Sequence, residues 1–221
     1  MKGLLIKDFM LMKVQKNFFL LIAVITIWIC GFSDDVSFTS GFTSGFLTFV
    51  VSMFALSTIS YVEFDNGNAF LFSLPITRRG YVVAKYCFGL LLVCSSWILS
   101  TLMIIAAVLL KGKSLSIDFM MNVFLVLPVI LIMLAIMLPF QFKFGGEKGR
   151  IAISATVGLL FVLGNIVAKA ARLLHIDLVS IFNNLPTLSM GMWGAVIIAA
   201  VVISLSVSMK ISVSIVNKKE F

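Results

Sequence analysis

The sequence has 221 residues, of which 61% are hydrophobic and 12% are charged, and its formal net charge is +8 at neutral pH. Soluble domains typically carry about 25% charged residues, so an apolar fraction this large predicts an integral membrane protein with lipid as part of its solvent. The basic residues lie in the gaps between apolar stretches and form no long run, which argues against nucleic-acid binding and makes them an orientation signal instead.

Six apolar stretches are long enough to cross a membrane. A transmembrane helix needs about 20 predominantly apolar residues to span roughly 30 Å of hydrocarbon. The chain is therefore predicted to be an all-α integral membrane protein that forms a single transmembrane domain, residues 1–221. The predicted spans are Asn17–Phe32, Phe42–Tyr61, Tyr86–Leu110, Phe119–Phe142, Ile151–Ala168 and Gly191–Ser212.

The basic residues between these stretches predict the orientation of the chain. If the N-terminus is cytoplasmic, 13 of the 17 Lys and Arg residues fall on the cytoplasmic side. Cytoplasmic loops carry an excess of Lys and Arg, so this bias predicts a multi-pass protein of a bacterial cell membrane with both termini in the cytoplasm. The basic residues left on the outer side are Lys111, Lys113, Lys169 and Arg172.

Residues 1–16 mix lysines with apolar side chains ahead of the first predicted span. Leu5, Phe9 and Met12 recur at i, i+4 and i+7, which places them on one face of a helix. Basic amphipathic helices lie in the membrane interface. The segment is therefore predicted to be an interfacial helix, and a basic flank that only sets the orientation is the alternative.

The segment 62–85 contains the longest predicted cytoplasmic loop and is unusually apolar. Pro75 ends any short helix in it, and Thr77 has a side chain that suits the N-cap of the next helix. Contiguous exposed apolar side chains indicate an interaction surface. We interpret the segment as a short helix that docks a cytoplasmic protein, with a helix lying flat on lipid as the alternative. Its apolar side chains are Phe70, Leu71, Phe72 and Leu74.

The predicted outer segment 169–190 is also too apolar for a free loop. Asn183, Asn184 and Pro186 interrupt its apolar residues. Non-helical backbone at membrane depth must be buried in protein, so this pattern predicts a re-entrant segment between the fifth and sixth spans.

Asn122, Gln141 and Asn165 are the strongly polar side chains of the predicted spans. Such residues face a bundle interior or a cavity. Interhelical hydrogen bonding is the simpler interpretation, and for Asn122 and Asn165 a position on a translocation path is the alternative. Gly41 and Gly45 lie four residues apart, and this spacing of small residues favours close helix packing.

The sequence lacks the motifs of common catalytic and nucleotide sites. The glycine-rich run 145–149 does not have the P-loop spacing, so this chain is not expected to bind ATP in that way. No H-E-x-x-H motif and no pair of intramembrane carboxylates occurs, which argues against an enzyme. Cys30, Cys87 and Cys94 match no metal-site spacing and are expected to be small buried side chains.

Three short motifs resemble a known family. LPITR at 74–78, YVVAKY at 81–86 and the opening MKGLLIKDF at 1–9 are similar to the permease subunits of ABC-2 type ATP-binding-cassette exporters. The resemblance implies that a coupling helix at about 66–74 docks in a cleft of a separate ATPase. The coupling residues implied are Glu63, Asp65, Asn68, Phe70, Leu71, Phe72, Leu74 and Arg78.

The resemblance also implies partners and cargo. Two permeases, identical or paralogous, would pair with two ATPase subunits, and those subunits would bind ATP and Mg²⁺, so this chain itself needs no cofactor. The cargo expected is amphipathic: a peptide, such as an antimicrobial peptide, a lipid or a drug-like molecule. The alternative function is a small non-ABC secondary transporter, or a membrane scaffold that binds a cytoplasmic protein.

Overall fold

A computed structural model describes residues 2–32, 36–64, 67, 71, 73, 76–112, 117–145 and 190–219, together with positions 151, 154, 158, 162, 166 and 169. Helices dominate these residues, and no strand occurs among them. The helices are α1 (Lys2–Val14), α2 (Lys16–Phe32), α3 (Val36–Phe64), α4 (Arg78–Leu110), α5 (Ile117–Phe144) and α6 (Met190–Lys218).

Four of the described helices, α3 to α6, are long and apolar enough to cross a membrane. The chain bends by 65° between α1 and α2, and this bent pair counts as a fifth candidate span if it is taken as one. Each predicted span from the first to the fourth, and the sixth, lies within one of the helices α2 to α6. The predicted fifth span and the predicted re-entrant segment lie mostly outside the described residues; positions 151, 154, 158, 162, 166 and 169 are helical.

The core of the bundle forms where α3, α4, α5 and α6 pack on one another. Gly89 of α4 marks the closest approach. A Cβ atom at this position would lie 3.0 Å from Cδ2 of Leu134 on α5 and 3.6 Å from Cβ of Ala55 on α3. The absence of a side chain at Gly89 therefore lets three helices meet at one level.

The helix ends gather at two opposite ends of the bundle. At the end that we call the basic end, Arg78 at the start of α4 contacts the last turn of α6, and Lys219 after α6 contacts the last turn of α5. At the other end, Trp97 of α4 donates its indole N–H to the carbonyl of Val123 on α5 at 2.9 Å. A second small hydrophobic cluster lies there, made of Cys30, Ile104, Val108, Phe119 and Val123.

Two packing predictions were wrong in part. Cys30 is buried as expected, but Cys87 and Cys94 are exposed on the outer surface of α4, because an apolar position in a membrane helix can face lipid as well as protein. Gly41 and Gly45 do not form a close helix contact within the described part of the chain: no atom lies within 4 Å of where their Cβ atoms would be.

Candidate functional site

The main polar site of the bundle is a buried ion pair at its basic end. Nζ of Lys85 on α4 lies 2.8 and 2.9 Å from the two carboxylate oxygens of Asp8 on α1. The side chains of Lys85 and Asp8 are only 2% and 1% exposed. On α3, Thr58 accepts two further hydrogen bonds from the same ammonium, through its hydroxyl oxygen at 2.9 Å and its carbonyl at 3.3 Å.

In this cluster, which we call the Asp8–Lys85–Thr58 node, every donor of the buried ammonium has an acceptor. An ammonium group has three N–H donors, and here four oxygen atoms from two partners surround it. The ring of Tyr81, one turn earlier on α4, adds a cation–π contact with its centroid 5.7 Å from Nζ. Burying a charge is very unfavourable unless it is paired and hydrogen-bonded, so this geometry is what allows the ammonium to lie inside the bundle.

Apolar side chains close the node against water. Leu4 is buried one turn before Asp8 on α1, and Val82 and Phe88 on α4 are fully buried beside Lys85. The ring of Phe9 meets that of Phe88 edge to face, with a centroid distance of 5.3 Å. Low local polarity strengthens the attraction between the two charges. The node is therefore a buried contact that links α1, α3 and α4.

The node changes the interpretation of α1. The predicted apolar face of Leu5, Phe9 and Met12 is only partly buried, and Phe9 is 41% exposed. The face that turns fully inward is that of Leu4 and Asp8. A search for apolar periodicity misses this face because its central residue is a carboxylate. The helix thus docks on the bundle through a charge, and Gln15 strengthens this docking by donating a hydrogen bond to the Tyr61 hydroxyl of α3.

The segment between α3 and α4 is anchored on both sides. Before it, Val62 at the end of α3 is buried. After it, Thr77 caps α4 as predicted, and its hydroxyl accepts a hydrogen bond from the Gly80 N–H at 3.1 Å. Arg78 donates to the carbonyls of Asn217 at 2.6 Å and Val216 at 3.2 Å, which neutralises the C-terminal end of α6.

Only two of the predicted coupling side chains are described, and both contact the bundle. Leu71 is 7% exposed and belongs to the main core cluster, so its side chain packs into the bundle. Arg78 binds the end of α6. The side chain of Glu63 and the residues Asp65, Asn68, Phe70, Phe72 and Leu74 lie outside the described part.

A second polar cluster joins α4 to α6 and includes Tyr86, the residue after Lys85. The hydroxyl of Tyr86 lies 2.5 Å from the Ser208 hydroxyl and 2.8 Å from that of Ser212, and all three residues are buried. Ser208 in turn donates to the carbonyl of Ala135 on α5. This cluster fixes the rotation of α6 against α4 and α5, and sequence reasoning missed it because serine is unremarkable in a membrane helix.

The predicted polar residues of the spans have different outcomes. Gln141 is buried and donates to the Ser60 hydroxyl of α3 at 2.7 Å, which confirms interhelical hydrogen bonding. Asn122 lies half-buried near the start of α5, away from the basic end. Asn165 lies outside the described residues. Within the described ranges no group of three His, Cys, Asp or Glu side chains could hold a metal ion.

The sequence contains a signal for the ion pair between Asp8 and Lys85. Lys85 stands among apolar neighbours in the motif at 81–86, and Asp8 directly follows Lys7 in the motif at 1–9. A base in apolar surroundings is expected to lie beside an acid, since its charge is not stable there alone. Thr58 gave no such signal, because its role depends on the register of α3 against α4.

Several described helices are long and apolar enough to cross a membrane, and a buried ion pair joins α1 to α4 at the basic end. The segment between α3 and α4 is anchored at the same end. These features define a class, the multi-pass α-helical membrane proteins whose helices are linked to one another at the basic end. Comparison with protein-family models matches residues 3–217 to the model described as ABC-2 family transporter protein. The chain therefore belongs to the ABC-2 transporter family, which makes it a membrane permease component of an ABC transporter. A search among curated proteins finds none that matches the chain.

Proposed function

We propose that this chain is the permease subunit of an ATP-driven exporter and that a separate ATPase drives it through the segment between α3 and α4. The observation that supports this proposal best is the Asp8–Lys85–Thr58 node. It makes the start of α4 rigid with α1 and α3, at the end of the bundle where that segment begins and ends. ATP and Mg²⁺ bind to the ATPase partner, and the helices of this chain move in response.

The mechanism follows from which helices the basic end connects. A push on the segment between α3 and α4 reaches α1 and α3 through Lys85, and it reaches α6 through Arg78. Because packed helices are bistable rather than continuously deformable, the bundle tilts as a unit instead of bending locally. Two such bundles, identical or paralogous, rock against each other and open a path between them. The basic end faces the cytoplasm, as the excess of Lys and Arg there favours.

The cargo that suits this bundle is amphipathic. The outward surfaces of α4 and α6 carry large apolar side chains, including Leu91, Leu102, Ile198 and Val202. A path between two such surfaces receives apolar groups without desolvating charges. We therefore favour export of a peptide, lipid or drug-like molecule with an apolar face. Membership of the ABC-2 family favours this reading over a secondary transporter or a scaffold.

The test combines partner capture with transport. The chain is co-expressed with its neighbouring genes, and any complex that co-purifies is reconstituted in liposomes. Phe72→Glu is expected to abolish co-purification of the ATPase and ATP-driven transport, whereas Ser114→Glu, in the segment between α4 and α5, leaves both unchanged. If no ATPase co-purifies with the wild-type chain, or if Phe72→Glu transports normally, the proposal fails.

A further inference from the structure

An open groove runs between α5 and α6, with a volume of about 1070 Å³. Its walls are apolar: Ile136 and Phe140 come from α5, and Ile203, Val207 and Ile211 come from α6. Four of these five residues are exposed and Phe140 is partly exposed, so the groove faces sideways into the membrane. An apolar lateral groove of this kind accepts hydrocarbon from the bilayer.

The groove has a charged mouth at the basic end. Lys143 at the end of α5 and Lys218 and Lys219 at the end of α6 all line it. Lys143 and Lys218 are exposed, and Lys219 is held in place by a 3.3 Å hydrogen bond to the carbonyl of Phe142. Among the described residues that line the groove, none is Asp or Glu. Three cations at one end of an apolar groove make an environment that attracts an anion attached to an apolar body.

We propose that this groove binds an anionic phospholipid of the leaflet at the basic end. The headgroup phosphate lies at Lys143, Lys218 and Lys219, and an acyl chain lies along the apolar walls. The dimensions agree: from Lys143 to Ala135 the α5 wall is about 12 Å long, which is close to one leaflet, roughly half of a 30 Å hydrocarbon core. Ammonium–phosphate attraction selects the headgroup, and burial of apolar surface holds the chain.

The charges favour a lipid over a second copy of the chain. In a two-fold symmetric dimer the same surface of both copies meets. A dimer through this groove would place three lysines of one copy against the same three lysines of the other, and this like-charge contact opposes association. An anionic headgroup neutralises them instead. The proposal does not depend on the export mechanism, since no residue of the node and no described residue of the segment between α3 and α4 lines the groove.

Native mass spectrometry of the purified full chain in detergent tests the proposal. The chain is titrated with phosphatidylglycerol or with phosphatidylcholine of the same acyl chains. We expect phosphatidylglycerol to bind at least roughly tenfold more tightly than phosphatidylcholine, because each lysine attracts the anionic headgroup. The triple variant Lys143→Gln, Lys218→Gln, Lys219→Gln is expected to lose this preference. The matched triple Lys13→Gln, Lys16→Gln, Arg79→Gln removes three exposed charges at the same end but outside the groove, and is expected to keep it.

A variant of the apolar wall makes the test independent of charge. Ala200 is exposed and lines the groove away from the lysines, so Ala200→Trp fills this part of the groove. The variant is expected to bind both lipids at least threefold more weakly and to keep the melting temperature of the wild-type protein. Equal binding of the two lipids by the wild type, or equal loss in both triple variants, would overturn the proposal. So would displacement of the lipid by soluble glycerol phosphate. In a cysteine-free background, a disulfide-linked dimer formed through Ile203→Cys would also overturn it and would assign the groove to a second copy.

Discussion

At the scale of single residues, Lys85 and Asp8 depend on each other. Each charge alone would be deeply unfavourable in the interior, while together they complete each other's hydrogen bonds. The pair is therefore a device for specificity: it allows α1 to dock in one register only. Leu4 and Phe9 around it would tolerate a slide of α1, but the carboxylate would not, because one residue of shift turns it to another face of the helix.

Asp8→Ala and Lys85→Ala are each expected to lower the free energy of unfolding by about 3 kcal/mol, because each leaves a buried charge unpaired. The double variant is expected to lose clearly less than the sum of the two. Denaturation in mixed micelles, followed by circular dichroism, measures all three. Lys13→Ala removes an exposed lysine of the same helix and is expected to change stability by less than about 0.5 kcal/mol. Additive losses would show that the two residues do not stabilise each other.

Ser212→Ala tests the second polar cluster. The variant removes a 2.8 Å hydrogen bond between α4 and α6, and a loss of about 1 kcal/mol is expected. Ser206 is the matched control on the same helix, since it is exposed and its hydroxyl donates to the carbonyl of Val202 within α6. Ser206→Ala is expected to leave the midpoint of unfolding unchanged. An equal shift in both variants would mean that Ser212 contributes nothing between helices.

At the scale of elements, α4 shows what the sequence predicts and what it does not. Its N-cap Thr77 was identified correctly from side-chain chemistry. The apolar run, however, begins only at Tyr86, so hydropathy alone places the start of the span eight residues late. The helix includes Lys85 because Asp8 neutralises it, and includes Arg78 because the end of α6 accepts its hydrogen bonds. Both partners are distant in the chain, so the hydropathy of α4 alone does not identify them.

Gly89→Val tests the point where α3, α4 and α5 meet. The new Cβ would lie 3.0 Å from a Leu134 methyl group, and its branches would overpack the site, with an expected loss of about 2 kcal/mol in unfolding free energy. Gly45→Ala is the contrasting variant, because nothing lies within 4 Å of its Cβ position; a gain of about 0.5 kcal/mol is expected from better helix propensity. Thermal unfolding of both variants in one detergent gives the comparison. A stable Gly89→Val variant would place the helices further apart.

At the scale of the whole molecule, apolar patterning located the helices α2 to α6 but not the faces that they turn inward. Hydropathy treats Leu71, Cys87 and Cys94 alike, yet Leu71 packs in the core and both cysteines are exposed. In water an apolar residue is driven inward, whereas in a bilayer lipid and protein are equally apolar surroundings. Which apolar side faces inward is then decided by polar contacts such as those of Lys85 and Tyr86, and these depend on pairings between distant helices.

The predicted orientation of the whole bundle can be tested by labelling one residue at each of its two ends. Arg78, Lys218 and the lysines of α1 lie at the basic end, so the positive-inside rule places Asn217 in the cytoplasm and Lys111 outside. In a cysteine-free background, a membrane-impermeant maleimide is expected to label Lys111→Cys in intact cells and Asn217→Cys only after lysis. Labelling by a permeant maleimide controls for reactivity. The reverse pattern would put the segment between α3 and α4 outside, where no ATP-driven partner could reach it, and would exclude both the coupling mechanism and the exporter.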